Sequence, residues 1–273
     1  MKKNGFLVVA LYIVGFYFTQ VIYILGAGTV NYMFKGNIPY PYLFQACLQC
    51  FIFAVVWGYI YLFRKYLLSY ALEGKAGFNT IRCEKKKGFI NILVGTASGL
   101  AAGLLVLSVR YLGGSVENIT FNNFPKNFVI IVFSLVSTGL AAVMEEIVFR
   151  GTLFPMLKEF KRSFLFSSVI TGIFFSLFHI GQGIGLIDLL FYFLLSVLLC
   201  SIIEKTNTIW LGAGIHLGWN IISKGINIFN VDYKEDQIML LFEKTISILA
   251  VVIAILVLKV LNKKKNKKAE LAV

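Results

Sequence analysis

Six residues in three stretches supply the side chains from which this chain could build a reaction centre. Glu145, Glu146 and Arg150 lie in AAVMEEIVFRGTLF, His179 closes FFSLFH, and His216 and Asn220 lie in GAGIHLGWN. The chain has no other histidine. All three stretches are apolar apart from these residues, and a charge at the centre of a membrane-spanning helix costs about 2.5–3.5 kcal/mol on the insertion scale. Two carboxylates and two imidazoles held in such runs predict one shared polar site. Spacing refines it, because Glu146 and Arg150 share a helix face, as do His216 and Asn220. Glu145 and Glu146 diverge by about 100° at 3.6 residues per turn, so one site is not expected to use both equally. The expected division has Glu146 clasping Arg150 and Glu145 facing the histidines, with the swapped assignment as its rival.

A carboxylate working with one imidazole can deprotonate a water that attacks a carbonyl carbon. His216 and Asn220 can then donate hydrogen bonds to the developing oxyanion. Ser163, Ser167, Ser168 and Ser176 precede His179, but none has a G-x-S-x-G context, so water is the expected nucleophile. Glu145, His179 and His216 could instead hold zinc with an open position. The H-E-x-x-H spacing is absent and Asn is a poor zinc ligand, so no cofactor is favoured and zinc is the alternative.

The elements that must carry these residues are membrane spans. The 273 residues are 58% hydrophobic and 14% charged, against roughly 25% charged in soluble domains. The expected fold is all-α, a polytopic transmembrane helix bundle of about eight spans: residues 5–26, 41–63, 88–112, 127–157, 163–180, 186–203, 208–228 and 238–261. Residues 1–126 then hold three helices and a basic loop, 127–228 the polar core, and 229–273 the last span and a basic tail. No internal repeat and no separate soluble domain is visible. The third span contains GTASGLAAG, which suits close helix packing. At some 30 residues the fourth must tilt or extend past the bilayer.

A net charge of +13 could suggest nucleic acid, but the basic residues lie between apolar runs rather than in one patch. They are read as topology signals and contacts for anionic lipid. With both termini cytoplasmic, 20 of the 26 basic residues fall on inside segments, among them seven in 64–87 and four in 150–162. The first run is too long for a signal-peptide core and is expected to remain as a helix. Residues 269–273 offer no prenylation box. Cys47 and Cys50 form a C-x-x-C within an apolar helix and are expected to be buried small hydrophobes rather than a redox pair. Asp188 is expected to serve a helix start, GQGIG at 181–185 to break a helix, and Arg110 to snorkel outward.

Taken in order, E-E-x-x-x-R at Glu145–Glu146…Arg150, F-x-x-x-H at Phe175…His179 and H-x-x-x-N at His216…Asn220 resemble the CPBP family of intramembrane proteases. That family comprises CAAX prenyl endopeptidases and bacterial Abi relatives linked to bacteriocin self-immunity. The resemblance covers about residues 127–228, and no motif position departs from the pattern. It implies a glutamate-dependent endopeptidase whose site lies in a membrane cavity. Glu145 with His179 would activate water, His216 and Asn220 would form the oxyanion site, and Glu146 and Arg150 would support. The implied partner is a membrane-associated or lipidated peptide or protein. A bacterial plasma membrane, with peptide maturation or bacteriocin immunity ahead of CAAX cleavage, fits the basic flanks. The alternatives are the zinc-dependent version of the same protease, a non-catalytic immunity scaffold, and a small proton-coupled transporter. The last is disfavoured because the polar cluster has no counterpart in the other half of the chain.

One geometric difficulty follows from the predicted spans. If the fourth ends at residue 157, Glu145 lies toward its inner half. His179 is about 24 Å from the inner start of the fifth, at 1.5 Å per residue. The two meet only if the fourth helix is displaced or the fifth begins well outside the core.

Overall fold

The computed structural model describes residues 5–34, 41–68, 88–113, 116–119, 124–161, 163–180, 185–225, 231–233 and 245–249. Its helices are α1 (Gly5–Met33), α2 (Pro41–Leu62), α3 (Gly88–Leu112), α4 (Phe124–Glu145), α5 (Phe154–Lys161), α6 (Phe164–Leu177), α7 (Leu186–Thr206) and α8 (Trp210–Gly225). A π-helical segment, Glu146–Leu153, joins α4 to α5 without a break, and a second, Phe63–Leu68, extends α2. Five helical stretches among the described residues are long and apolar enough to cross a membrane; α6, at 14 residues, is apolar but shorter. The chain is a helical transmembrane bundle. Departing from helix, Val116–Ile119 (β1) and Val231–Tyr233 (β2) pair antiparallel, so two stretches between the expected spans meet as a small sheet.

Several expectations fall outside the described residues: most of the basic loop, residues 181–184 of the breaker, the Arg110 side chain, nearly all of the eighth run and the basic tail. Two others need correction. Cys47 and Cys50 are exposed, not buried, because they lie on the outward side of α2 while Ala46 and Gln49 turn inward. Arg150 belongs to no loop; it is fully buried inside the bundle, so it cannot count toward the basic residues of an inside segment.

The geometric difficulty disappears because the fourth span is longer than the sequence suggests. It does not end near Leu157 but continues as helix through Lys161. Ser163 then caps α6, its hydroxyl accepting from the Phe166 N–H at 3.3 Å. Glu145 is sixteen residues before Lys161 and His179 sixteen residues after Ser163. Each therefore lies roughly 24 Å from the same turn at 1.5 Å per residue. The two strokes of this hairpin bring carboxylate and imidazole to one level.

All eight residues of the π-helical segment are buried. Around it lies the main core, built from Tyr12 and Phe16 of α1, Ile52 and Val56 of α2, Val148, Phe149 and Leu153 of the segment itself, and Phe175 of α6. Elsewhere α3 and α8 cross with almost nothing between their backbones. A Cβ on Gly95 would strike the Leu211 carbonyl and one on Gly99 the Ile215 carbonyl. Reciprocally, a Cβ on Gly214 or Gly218 would strike the carbonyl of Ile92 or Thr96. The close packing expected of GTASGLAAG is realised, and its partner is the helix that carries His216. Small residues at four-residue spacing are what allow such an approach in a membrane.

Candidate active site

The site is built on the π-helical segment. Widening a helix from i→i+4 to i→i+5 bonding disturbs the carbonyl ladder, and the orphaned carbonyls need partners. The Phe154 N–H reaches back five residues to the Phe149 carbonyl. Thr152 Oγ1 donates to the Ile147 carbonyl at 3.0 Å, and the Tyr12 hydroxyl of α1 donates to the Val148 carbonyl at 2.9 Å. Tyr12 is itself held by Tyr59 of α2, whose hydroxyl donates to the Tyr12 carbonyl at 2.7 Å. Pro155, two residues past the segment within the continuous helix, has no N–H to give and so withholds one bond from the carbonyls of the preceding turn.

Glu146 and Arg150 are both fully buried and meet at 3.1 Å through Oε1 and Nη1. The Arg150 guanidinium also lies over the Phe175 ring, 4.0 Å from its centre, a favourable place for a desolvated cation. The same Glu146 Oε1 is 3.1 Å from His216 Nδ1. A carboxylate paired with arginine can only accept, so His216 Nδ1 carries the proton and donates it. Gly212 of α8 faces this carboxylate: a Cβ there would lie 3.4 Å from Glu146 Oε2, in ordinary contact.

His179 is just beyond the last turn of α6, with Nδ1 2.8 Å from the Phe175 carbonyl. A carbonyl is an acceptor, so Nδ1 is again the protonated nitrogen and Nε2 presents a lone pair. Nε2 of His179 is 3.8 Å from Glu145 Oε2, and Nε2 of His216 is 3.7 Å from the same oxygen. These separations exceed a hydrogen bond, and Glu145 Oε2 is buried with no hydrogen-bond partner among the described residues. The structure thus gathers Glu145, Glu146, Arg150, His179 and His216. Asn220 is one turn beyond His216 on α8, half-buried, and among the described residues it makes no hydrogen bond to the cluster.

Both glutamates reach His216, one at each nitrogen, which the 100° argument did not foresee. The imidazole offers its two nitrogens on different edges, so divergent carboxylates can share it. Zinc held by Glu145, His179 and His216 at 2.0–2.1 Å would need donors about 3.3–3.4 Å apart in tetrahedral geometry, a little closer than Glu145 is to either histidine.

Sequence reasoning passed over Tyr12 and Tyr192. The Tyr192 ring of α7 stacks on the His179 imidazole with 4.1 Å between centres and 17° between planes. Thirteen tyrosines in an apolar chain offer no signal that would single these two out. Asp188 does serve the start of α7, where its Oδ2 accepts from the Gly185 N–H at 3.2 Å.

Residues 127–222 match the family model described as type II CAAX prenyl endopeptidase Rce1-like. No curated protein and no solved structure matches the chain. The matched stretch runs from α4 to α8 and contains all six motif residues, whereas α1–α3 lie before it. The chain is therefore an integral membrane protein whose residues 127–222, about a third of its length, are similar to the Rce1-like type II CAAX prenyl endopeptidases, a family of proteases.

Proposed function

We propose that the chain hydrolyses a peptide bond of a membrane-associated or lipidated peptide, with Glu145 and His179 activating the water and no resident metal. The observation that carries this reading is the convergence of two imidazole Nε2 atoms on one buried, unpartnered carboxylate oxygen, at 3.7 and 3.8 Å. A water bonded to all three would have the two to four polar partners that buried waters need. Its proton passes to the Glu145–His179 pair as its oxygen bonds to the carbonyl carbon. The carbonyl π electrons move onto oxygen, and His216 with Asn220 donates to that oxyanion. Collapse of the tetrahedral intermediate breaks the C–N bond, and the stored proton leaves with the amine.

With Nδ1 donating to Glu146, His216 serves the oxyanion through an Nε2–H, while Glu146 holds the opposite edge of the ring. Glu146 and Arg150 act by positioning. Substrates reach the site from a bacterial plasma membrane, with both termini of the chain cytoplasmic and its basic segments against anionic lipid. Peptide maturation or bacteriocin immunity is the role these features fit best.

The test is cleavage by the purified protein in liposomes of two probes, a farnesylated peptide ending Cys-aliphatic-aliphatic-X and an unlipidated hydrophobic peptide. Wild type is compared with Glu145→Ala, with and without chelator. Cutting that the alanine change abolishes and chelator leaves intact is the expected outcome. Loss with chelator and recovery with zinc would transfer Glu145, His179 and His216 to metal ligation. If wild type cuts neither probe, and Glu145→Ala still protects a host from bacteriocin, the chain is a scaffold.

A further inference from the structure

We propose that Tyr192 is a positioning residue for His179: its ring fixes the imidazole plane and stabilises the imidazolium formed when His179 takes a proton from water. The proposal rests on the reading of Glu145 and His179 given above. His179 needs such support because it is beyond Leu177, where α6 ends, and among the described residues one hydrogen bond, to the Phe175 carbonyl, holds its ring. A single bond at Nδ1 sets the tautomer but leaves rotation about that bond open. Three aromatic rings close the remaining directions. Phe175 lies 4.8 Å from the imidazole centre and Phe178 5.4 Å, the latter edge-on at 89°. Of the three, Tyr192 alone lies nearly parallel to the imidazole, at 4.1 Å and 17°.

The parallel stack gives Tyr192 an electrostatic role: the negative face of an aromatic ring attracts a cation, so the stack strengthens as the imidazole gains charge. Tyr192 is itself placed by a bond between helices, since Ser176 Oγ donates to the Leu189 carbonyl at 2.7 Å, one turn before Tyr192 on α7. Its neighbour Phe191 packs against Trp219 of α8 with ring centres 5.4 Å apart, which ties the same turn to the helix of His216. The stack therefore links the base to the oxyanion helix through α7.

The experiment compares Tyr192→Leu, which keeps the apolar bulk and removes the ring, with Tyr192→Phe, which keeps the ring, each beside Glu145→Ala. Cleavage of the two liposome probes is followed, together with the imidazole NMR signals of histidine-labelled protein. Two histidines in the chain make those signals assignable from one His216→Gln control. Tyr192→Leu should lower kcat about 3- to 30-fold with KM unchanged and move only the His179 signals, as ring-current shielding is lost. Tyr192→Phe should recover most of kcat and leave those signals in place. Unchanged His179 signals or unchanged kcat in Tyr192→Leu, with Glu145→Ala inactive, would overturn the role of Tyr192 alone. An active Glu145→Ala would overturn the underlying reading, and the catalytic role of Tyr192 with it.

Discussion

The carboxylate–imidazole cluster and the glycine seam hold the same helix, α8, by opposite means. On one side His216 is caught between two buried carboxylates, 3.1 Å from Glu146 and 3.7 Å from Glu145. On the other, Gly214 and Gly218 let α3 approach until backbone meets backbone. The cluster fixes α8 by attraction that fails if one charge is left alone. Absence of side chains is what fixes the seam, and it fails if one methyl is added. Polar glue can thus be broken by subtraction, steric fit only by addition.

The largest effect should come from subtraction in the cluster. Arg150→Met strands Glu146 in the core and should destabilise the fold by about 3–5 kcal/mol, measured by denaturant titration in detergent. The double variant Arg150→Met with Glu146→Gln should recover part of that loss, which would give the coupling directly. Addition at the seam comes next. Gly218→Ala places a Cβ on the Thr96 carbonyl, and overpacking of this kind should cost about 1–3 kcal/mol while displacing His216 and lowering kcat. Gly26→Ala, with open space around its Cβ, is the control and should do neither.

Tyr12→Phe tests whether the cluster depends on a helix outside the family-matched stretch. It leaves the Val148 carbonyl without its hydroxyl donor and should cost about 1–2 kcal/mol, with a fall in kcat because the π-helical segment carries Glu146 and Arg150. Smallest is the partly exposed Lys158–Glu204 pair between α5 and α7. Lys158→Met should change stability by no more than about 1 kcal/mol and leave cleavage unaffected.

The cluster and the seam were not equally legible in the sequence. Ionisable residues are rare enough in apolar runs that Glu145, Glu146, His179 and His216 identify themselves by type, and all four lie within the stretch 127–222 that the family model matches. Their common level did not. Lys158, Glu159 and Lys161 look like a loop after Leu157, yet the helix runs through them, and only that extension brings Glu145 opposite His179. GTASGLAAG announced close packing without naming a partner, because glycine carries no complementary charge or shape to read. The π-helical turn is invisible to a 3.6-residue rule, and it makes Tyr12 necessary. Tyr192 is hidden for a different reason: a stacking partner differs from any other apolar-face tyrosine only by where the imidazole lies.

The central claim is that the adjacent glutamates divide the work, Glu145 acting on water and Glu146 acting on His216. Glu145→Gln and Glu146→Gln, assayed side by side for kcat and unfolding midpoint on whichever liposome probe wild type cleaves, test it most directly. Glu145→Gln should lower kcat about 10²- to 10⁴-fold with its midpoint unchanged, since its Oε2 has no protein partner to lose. Glu146→Gln should lower the midpoint, because it strips the carboxylate that both Arg150 and His216 use. A Glu145→Gln protein that turns over at the wild-type rate, or one that loses its fold while Glu146→Gln keeps it, would contradict the account.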